Sequence, residues 1–307
     1  MTPTAEYRQF ERLVQRFEPG SHLKRAWELK GGVSARVTAL EVVGADGRTK
    51  KMVVRQHGPA DLAQNPQIAE YEFKLLQILQ SAGIPAPVPY YLDQSGQISP
   101  DPYLIMEYIE GELLFKPVNL DSLLRQIAAQ LAQIHRLDCS KPDLAFLTDH
   151  AARLAANLGS RPARLDDSLD EGRLRDILEA AWPFPHPNKP GLLHGDFWPG
   201  NILCKDNRLA AVIDWEDAGS GDPLADLANT RLEIMWAFGI EALERFTGYY
   251  RASNPLDFTA LPFWDLCAAL RPALKLAGWA ADSLAEERMR EGHRLFTGQA
   301  FERLDGY

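Results

Sequence analysis

The sequence predicts an α+β protein in two parts. Residues 1–109 read as a small lobe of mostly antiparallel strands with one main helix, and residues 110–307 as a larger, mostly helical lobe. Three observations predict this. Short apolar runs flank Asp46-Gly47, and Asp-Gly between such runs is a strong hairpin signal. One stretch of the N-terminal part, from Asn65-Pro66 to Gly83, carries helical periodicity instead. Beyond Glu110-Gly111 helical spacing dominates, interrupted by the paired runs "NILC" and "LAAVIDW".

The elements follow in order. Residues 4–18 form a short amphipathic helix. "WELKGGVSARVTALEVV", Asp46-Gly47 and "KKMVVRQ" read as strand, Gly-containing turn, strand, hairpin and strand. Asn65 is an expected N-cap and Pro66 suits the first helical position. That helix runs to about Ala82 and stops at Gly83, with Pro85 beyond. Its apolar stripe is Ile68, Leu75 and Leu79, and Glu72 falls in the middle of it. "VPYYLD" and "PYLIMEYI" are two more strands, and the lobes join near Glu107–Gly111. A helix then spans "LDSLLRQIAAQLAQIHRLD", with Asp121 as N-cap and Leu124, Ile127, Ala128, Leu131 and Ile134 as its inner face. Residues 150–185 are helical but weakly patterned. A hairpin turning at "KDNR" follows, and everything beyond Asp222 is helical. A cleft between two lobes is the expected place for a ligand.

Composition narrows the function classes. The chain of 307 residues is 46% hydrophobic and 24% charged, with a formal net charge of −9 and a pI near 5.3. No broad basic patch is available for phosphate backbones, which excludes nucleic acid as a partner. Cys139, Cys204 and Cys267 are odd in number and far apart, which fits a reducing compartment and neither a disulfide framework nor a zinc knuckle. "MTPTAEYRQF" has no apolar signal core, and no run is long enough to cross a membrane. The expected location is cytoplasmic, with no membrane partner. Nothing in the sequence fixes the oligomeric state.

The chemistry centres on "HGDFWPGNILC". Asn201 starts one strand of the expected hairpin and Asp214 ends the other, so antiparallel pairing places them near each other beside the loop bearing Asp196. Mg²⁺ takes oxygen ligands and keeps some for substrate phosphates. Asn201 and Asp214 supply such oxygens, leaving Asp196 to orient a hydroxyl and accept its proton. Kinases divide these roles in the same way. The small lobe offers matching parts. Glycines in Gly31-Gly32-Val33-Ser34 let backbone N–H groups approach phosphate oxygens. Arg55 lies on the third strand, and a lone Glu72 on an apolar face would be costly. An Arg55–Glu72 pair removes that cost and leaves guanidinium donors for the α/β-phosphates.

With "AVIDWEDAGSGDPLADLA", "VVRQHG" and "EFKLLQILQSAGIPAPVPYYL", these segments resemble the aminoglycoside phosphotransferase family, relatives of choline kinase within the protein-kinase-like fold. The likeness runs from roughly Leu29 to Gly239. It implies a two-lobed kinase that moves the γ-phosphoryl group of ATP or GTP to a small-molecule hydroxyl. By matching positions it implies Asp196 as base, Asn201 and Asp214 as Mg²⁺ ligands, and Arg55 and Glu72 as the phosphate-anchoring pair. "IMEYI" corresponds to the hinge, where backbone groups of Glu107, Tyr108 and Ile109 bind adenine. Asp222 and Asp226 match acids that support the loop. Arg55 stands where protein kinases have Lys, His194-Gly195-Asp196 replaces His-Arg-Asp, and no Ala-Pro-Glu segment follows, so a protein substrate does not fit.

Bland alternatives stand beside these assignments. Asp196, Asn201 and Asp214 are all residue types that serve turns. Arg55 can be a surface strand residue, and Glu72 can reach out of its stripe. Asp222, before Pro223, is a natural N-cap, and His194 braces the loop more readily than it acts as a base. Trp236, Trp264 and Asp265 are candidate pocket residues, with core packing as the alternative. Two other functions stay open on the residues alone. One is a catalytically silent kinase-fold module. The other is a metal-dependent hydrolase built on His194, Asp196, Asp214 and Asp222, although such sites usually present more histidines.

Overall fold

The computed structural model describes residues 5–29 and 35–305. The chain divides into two compact units, one ending at Glu110 and the other beginning at Gly111. Gly31, Gly32, Val33 and Ser34, the expected phosphate turn, lie outside the described residues.

The first unit opens with α1 (Ala5–Phe17), followed by strands β1 (His22–Glu28), β2 (Ala35–Val43) and β3 (Thr49–His57). Helices α2 (Pro59–Gln64) and α3 (Ile68–Ser81) and strands β4 (Pro89–Asp93) and β5 (Tyr103–Glu107) complete it. The strands form one sheet in the order β1-β2-β3-β5-β4, antiparallel throughout. The β2–β3 hairpin turns at Asp46-Gly47 as expected, with Gly47 at φ +76°. Phe10, Leu13 and Val14 of α1 close a core against Leu40, Val42, Met52, Val54 and Ile105 from the sheet.

One helix start is corrected. Asn65 does not cap a helix over Asn65–Ala82. Its Oδ1 accepts the Gln67 N–H at 3.0 Å, and α3 begins only at Ile68. Asn bonding the backbone two residues on makes a turn of its own. That turn separates α3 from α2, which the sequence reading missed. The buried face of α3 still contains Glu72 among Ala69, Leu75, Leu76 and Leu79.

The second unit contains β6 (Glu112–Leu113), α4 (Leu120–His135), β7 (Thr148–Asp149), α5 (His150–Leu158), α6 (Glu171–Ala181) and β8 (Gly191–Leu193). The hairpin β9 (Ile202–Lys205) and β10 (Arg208–Val212) follows, then β11 (Gly219–Gly221). Helices α7 (Pro223–Phe238), α8 (Ile240–Ser253), α9 (Leu261–Leu270), α10 (Leu276–Trp279) and α11 (Ser283–Asp305) end the chain. The strands make two three-stranded sheets, β10-β9-β6 and β7-β11-β8.

In α4 the expected inner face is fully buried, but the cap is Asn119, whose side chain accepts the Ser122 N–H at 2.9 Å, rather than Asp121. The β9–β10 turn places both Asp206 and Asn207 at positive φ, 51° and 59°, the backbone that matches strand twist in a two-residue hairpin.

Helix α7 is buried on nearly every side, as expected of a central helix. Asp222 caps it by accepting the Leu224 N–H at 2.9 Å. An internal ion pair ties it to α9: Arg231, 1% exposed, donates to the two oxygens of Asp265 at 2.9 and 3.1 Å. Asp265 is therefore a packing residue. Among the described residues no helix is long and apolar enough to cross a membrane, and the three cysteines are free thiols.

Replacing Asp265 by Ala strands a buried guanidinium. Urea unfolding should show a loss of about 3–5 kcal/mol. The double variant Arg231→Met/Asp265→Ala should recover most of it, because removing both charges removes the uncompensated one.

Candidate functional site

In the second unit the loop from His194 to Trp198 leaves β8 and enters one 3₁₀ turn, Pro199–Asn201, before β9. Two glycines explain its composition. Gly195 has φ +84°, and a Cβ there would lie 2.3 Å from the Asp217 carbonyl oxygen. At Gly200 a Cβ would lie 2.2 Å from the Trp198 indole. Neither close approach tolerates a side chain.

The hairpin register brings the expected trio together. Ile202 pairs with Val212, and the Ile213 N–H donates to the Asn201 carbonyl at 2.9 Å. Asn201 and Asp214 thus stand at one end of the ribbon. Asn201 Nδ2 donates to the Asp196 carbonyl at 2.9 Å and to Asp196 Oδ2 at 3.1 Å. With its nitrogen turned to Asp196, the amide keeps Oδ1 as an acceptor. Asp214 has φ +67°, a left-handed conformation that non-glycine residues adopt mainly where the surroundings hold them.

Asp226, on α7, holds the loop. Its Oδ2 accepts the His194 N–H at 2.6 Å and its Oδ1 the Gly195 N–H at 2.9 Å. His135 Nε2 stands 3.4 Å away, and its other nitrogen lies 2.5 Å from the Tyr250 hydroxyl. Burial alone would raise the Asp226 carboxyl, but the His135 bond, the two nearby histidines and the His194 amide hold it below the ordinary range. His194 is fully buried. Its Nε2 faces the Ile213 carbonyl at 3.0 Å, and its Nδ1 accepts the Asp196 N–H at 3.3 Å. Both nitrogens are spent on holding the loop beside Asp214, so His194 is a brace.

Two residues at this site left no mark in the sequence. Arg271, one residue past α9, donates from Nη2 to Asp196 Oδ1 at 2.8 Å, with both side chains about one-third exposed. Glu233 of α7 is partly buried. Burial pushes its carboxyl up to about 7, with Arg271 pulling down and Asp196 adding to the rise. Of the candidate pocket residues, Trp264 lines a cavity in this unit. The Trp236 indole N–H donates to the Met289 carbonyl at 2.9 Å.

In the first unit Arg55 and Glu72 do meet. Arg55 Nε lies 3.1 Å from Glu72 Oε2, and both are under a tenth exposed. His57, which the sequence reading did not single out, brings Nε2 to 2.8 Å from the same oxygen. Both side chains thus converge on one carboxylate oxygen. Burial would raise the Glu72 carboxyl, yet Arg55, and His57 after it, hold it below the usual range. The only sequence signal for His57 was its alternation with Arg55 on one strand. At the end of β5 the Glu107 N–H is bonded to the Val88 carbonyl at 2.8 Å, and the Tyr108 ring packs edge-on against Trp27 at 6.1 Å.

Comparison with known proteins identifies the family and the fold. A model of the phosphotransferase enzyme family matches residues 27–267. Acyl-CoA dehydrogenase family member 11 of Pongo abelii is 26% identical over 257 residues, covering 74% of this chain and 32% of that protein. The chain thus spans about a third of that relative's length. Homoserine kinase of Methylocella silvestris is 29% identical over 224 residues, covering 67% of this chain and 68% of that one. A solved thermostable mutant of an aminoglycoside phosphotransferase, in ternary complex with ADP and hygromycin B, has a TM-score of 0.62. It is 21% identical and covers 96% of both chains. The fold is the α+β fold of these kinase-like enzymes.

The Asp226 carboxyl lies lower folded than unfolded, so its contribution to stability is present above about pH 4 and lost as pH falls through the folded value. Asp226→Asn removes that contribution. Thermal unfolding at neutral pH should show a loss of about 2–3 kcal/mol, and the drop in stability towards about pH 3 should be shallower than in the wild type.

Proposed function

The chain belongs to the phosphotransferase enzyme family, and from that premise we propose that it moves the γ-phosphoryl group of ATP or GTP to the hydroxyl of a small molecule, with Mg²⁺. The convergence of Asp196, Asn201 and Asp214 at one end of the β9–β10 hairpin carries this reading.

Asp196 takes the proton of the acceptor hydroxyl as its oxygen bonds to phosphorus and the bond to the departing diphosphate breaks. A general base contributes about 10²–10⁴-fold, and most of the remainder is positioning and charge neutralisation. Asn201 Oδ1 and the Asp214 carboxylate fit a hard divalent cation, being oxygen donors beside a base and not nitrogen or sulfur donors. Bound there, Mg²⁺ would neutralise charge on the β- and γ-phosphate oxygens. Arg55, set by Glu72 and His57, offers its guanidinium to the α/β-phosphates. Backbone N–H groups of Gly31, Gly32, Val33 and Ser34 would serve the same phosphates. Because the Glu107 N–H is bonded to Val88, adenine recognition falls to Tyr108 and Ile109.

A hydrolase centred on His194 draws no support from the geometry, since both ring nitrogens are engaged within the loop. A silent nucleotide-binding module would not need Asp196 and Asn201 held 3.1 Å apart.

Asp196→Asn should lower kcat at least about 10²-fold with nucleotide affinity nearly unchanged. Asp214→Ala should instead weaken Mg²⁺-nucleotide binding in calorimetric titration. Wild-type turnover from Asp196→Asn, or no Mg²⁺-dependent ADP formation with any hydroxyl compound, would overturn the assignment.

A further inference from the structure

Within the second unit a cavity of about 640 Å³ opens beside the catalytic loop, with Gly195 and Asp217 in one wall and Arg271 in another. Its charge is unexpected for a chain of net charge −9. Arg153, Arg175, Arg271 and Lys275 line it, against Glu171, Asp217 and Asp226. The carboxylates are already engaged. Glu171 accepts from Arg175 at 2.8 Å, Asp226 holds the loop amides, and Asp217 lies 3.8 Å from Arg153. That leaves Arg271 and Lys275 as the cations facing the cavity without a lining carboxylate of their own among the described residues. The rest of the wall is apolar, including Trp264, Leu274 and Trp279. Leu274 is half-exposed and sits at φ +59°. The Asp166 carboxylate accepts its N–H at 2.9 Å, so a strained backbone holds an apolar side chain at this wall.

Both oxygens of Asp196 are occupied, Oδ2 by Asn201 and Oδ1 by Arg271 at 2.8 Å. Each oxygen keeps a second lone pair, but Asp196 is a freer acceptor once Arg271 finds another partner. An acceptor with its own carboxylate supplies one of the same planar kind. An acceptor with ammonium groups sets like charges against Arg271, Lys275 and Arg153.

We propose that the acceptor is a hydroxycarboxylic acid with an apolar chain, whose carboxylate binds Arg271 and so releases Asp196 Oδ1 to accept the hydroxyl proton. This rests on the phosphotransfer reading and names its substrate class. It makes Arg271 a specificity residue and sets this pocket apart from one suited to polycationic aminoglycosides. The hydroxyl proton passes to Asp196, and the guanidinium exchanges one carboxylate for another with no change in total charge.

A matched set tests it: ω-hydroxycarboxylates of increasing chain length, the corresponding diols and the corresponding amino alcohols. Each is titrated calorimetrically into the full chain saturated with Mg²⁺ and a non-hydrolysable ATP analogue, and each is scored with Mg²⁺-ATP for stimulated ADP formation. Hydroxycarboxylates should bind and stimulate, and amino alcohols should do neither. Arg271→Gln should weaken hydroxycarboxylate binding at least about tenfold, and Arg271→Lys should recover part of it. Preference for the amino alcohols or diols, unchanged binding in Arg271→Gln, or nucleotide binding with no hydroxycarboxylate binding would each overturn the inference alone. Failure of the wild type to bind Mg²⁺-nucleotide would overturn the phosphotransfer reading, and this inference with it.

Discussion

A single buried carboxylate organises the second unit. Asp226 accepts the amide protons of His194 and Gly195, both at the start of the loop that carries Asp196. A loop lacks the ladder that fixes strand backbone, so its amides need another acceptor once they leave water. Asp226 supplies that acceptor from the central helix α7, and His135 Nε2 stands behind it at 3.4 Å. Such a bond is stronger than one between neutral groups because the acceptor is ionised and sheltered from solvent. The position of Asp196 is thereby referred to a largely buried helix and not to the loop itself.

From that anchor the other constraints follow. Gly195 turns where a side chain would strike Asp217, Gly200 lies against Trp198, and Asn201 ends the turn facing Asp196. The hairpin returns the chain to Asn201 through Ile213, so Asp214 arrives from the opposite strand. His194 closes the circuit by bonding to the Ile213 carbonyl and accepting from the Asp196 amide. Side chains held in this way suit the proposed chemistry, which depends on placement more than on covalent intermediates.

Family membership and the charge of the pocket carry different information. The family match covers residues 27–267 and so includes the loop. In the cavity wall Arg271 pairs with Asp196. A common fold does not dictate the molecule that receives the phosphoryl group.

The sequence by itself determined what short-range geometry controls. Asp46-Gly47 specified one hairpin, and the Asp206-Asn207 turn another. The spacing of Asp196 to Asn201 fits one loop and one 3₁₀ turn, and the run to Asp214 fits one return strand. The stripe in α3 placed Glu72 inside, and burial of a carboxylate pointed to a cationic partner. Errors clustered at helix starts, Asn65 and Asp121, where an Asn or Asp has several backbone amides within reach and only packing selects among them. Tertiary structure alone brought His57 to Glu72, Asp226 to the loop amides, and Arg271 to a base 75 positions earlier in the chain. Those contacts have no local signature, because they arise from elements far apart in sequence packing against one another. The distances that set charge at the site are fixed by that packing and not by spacing along the chain.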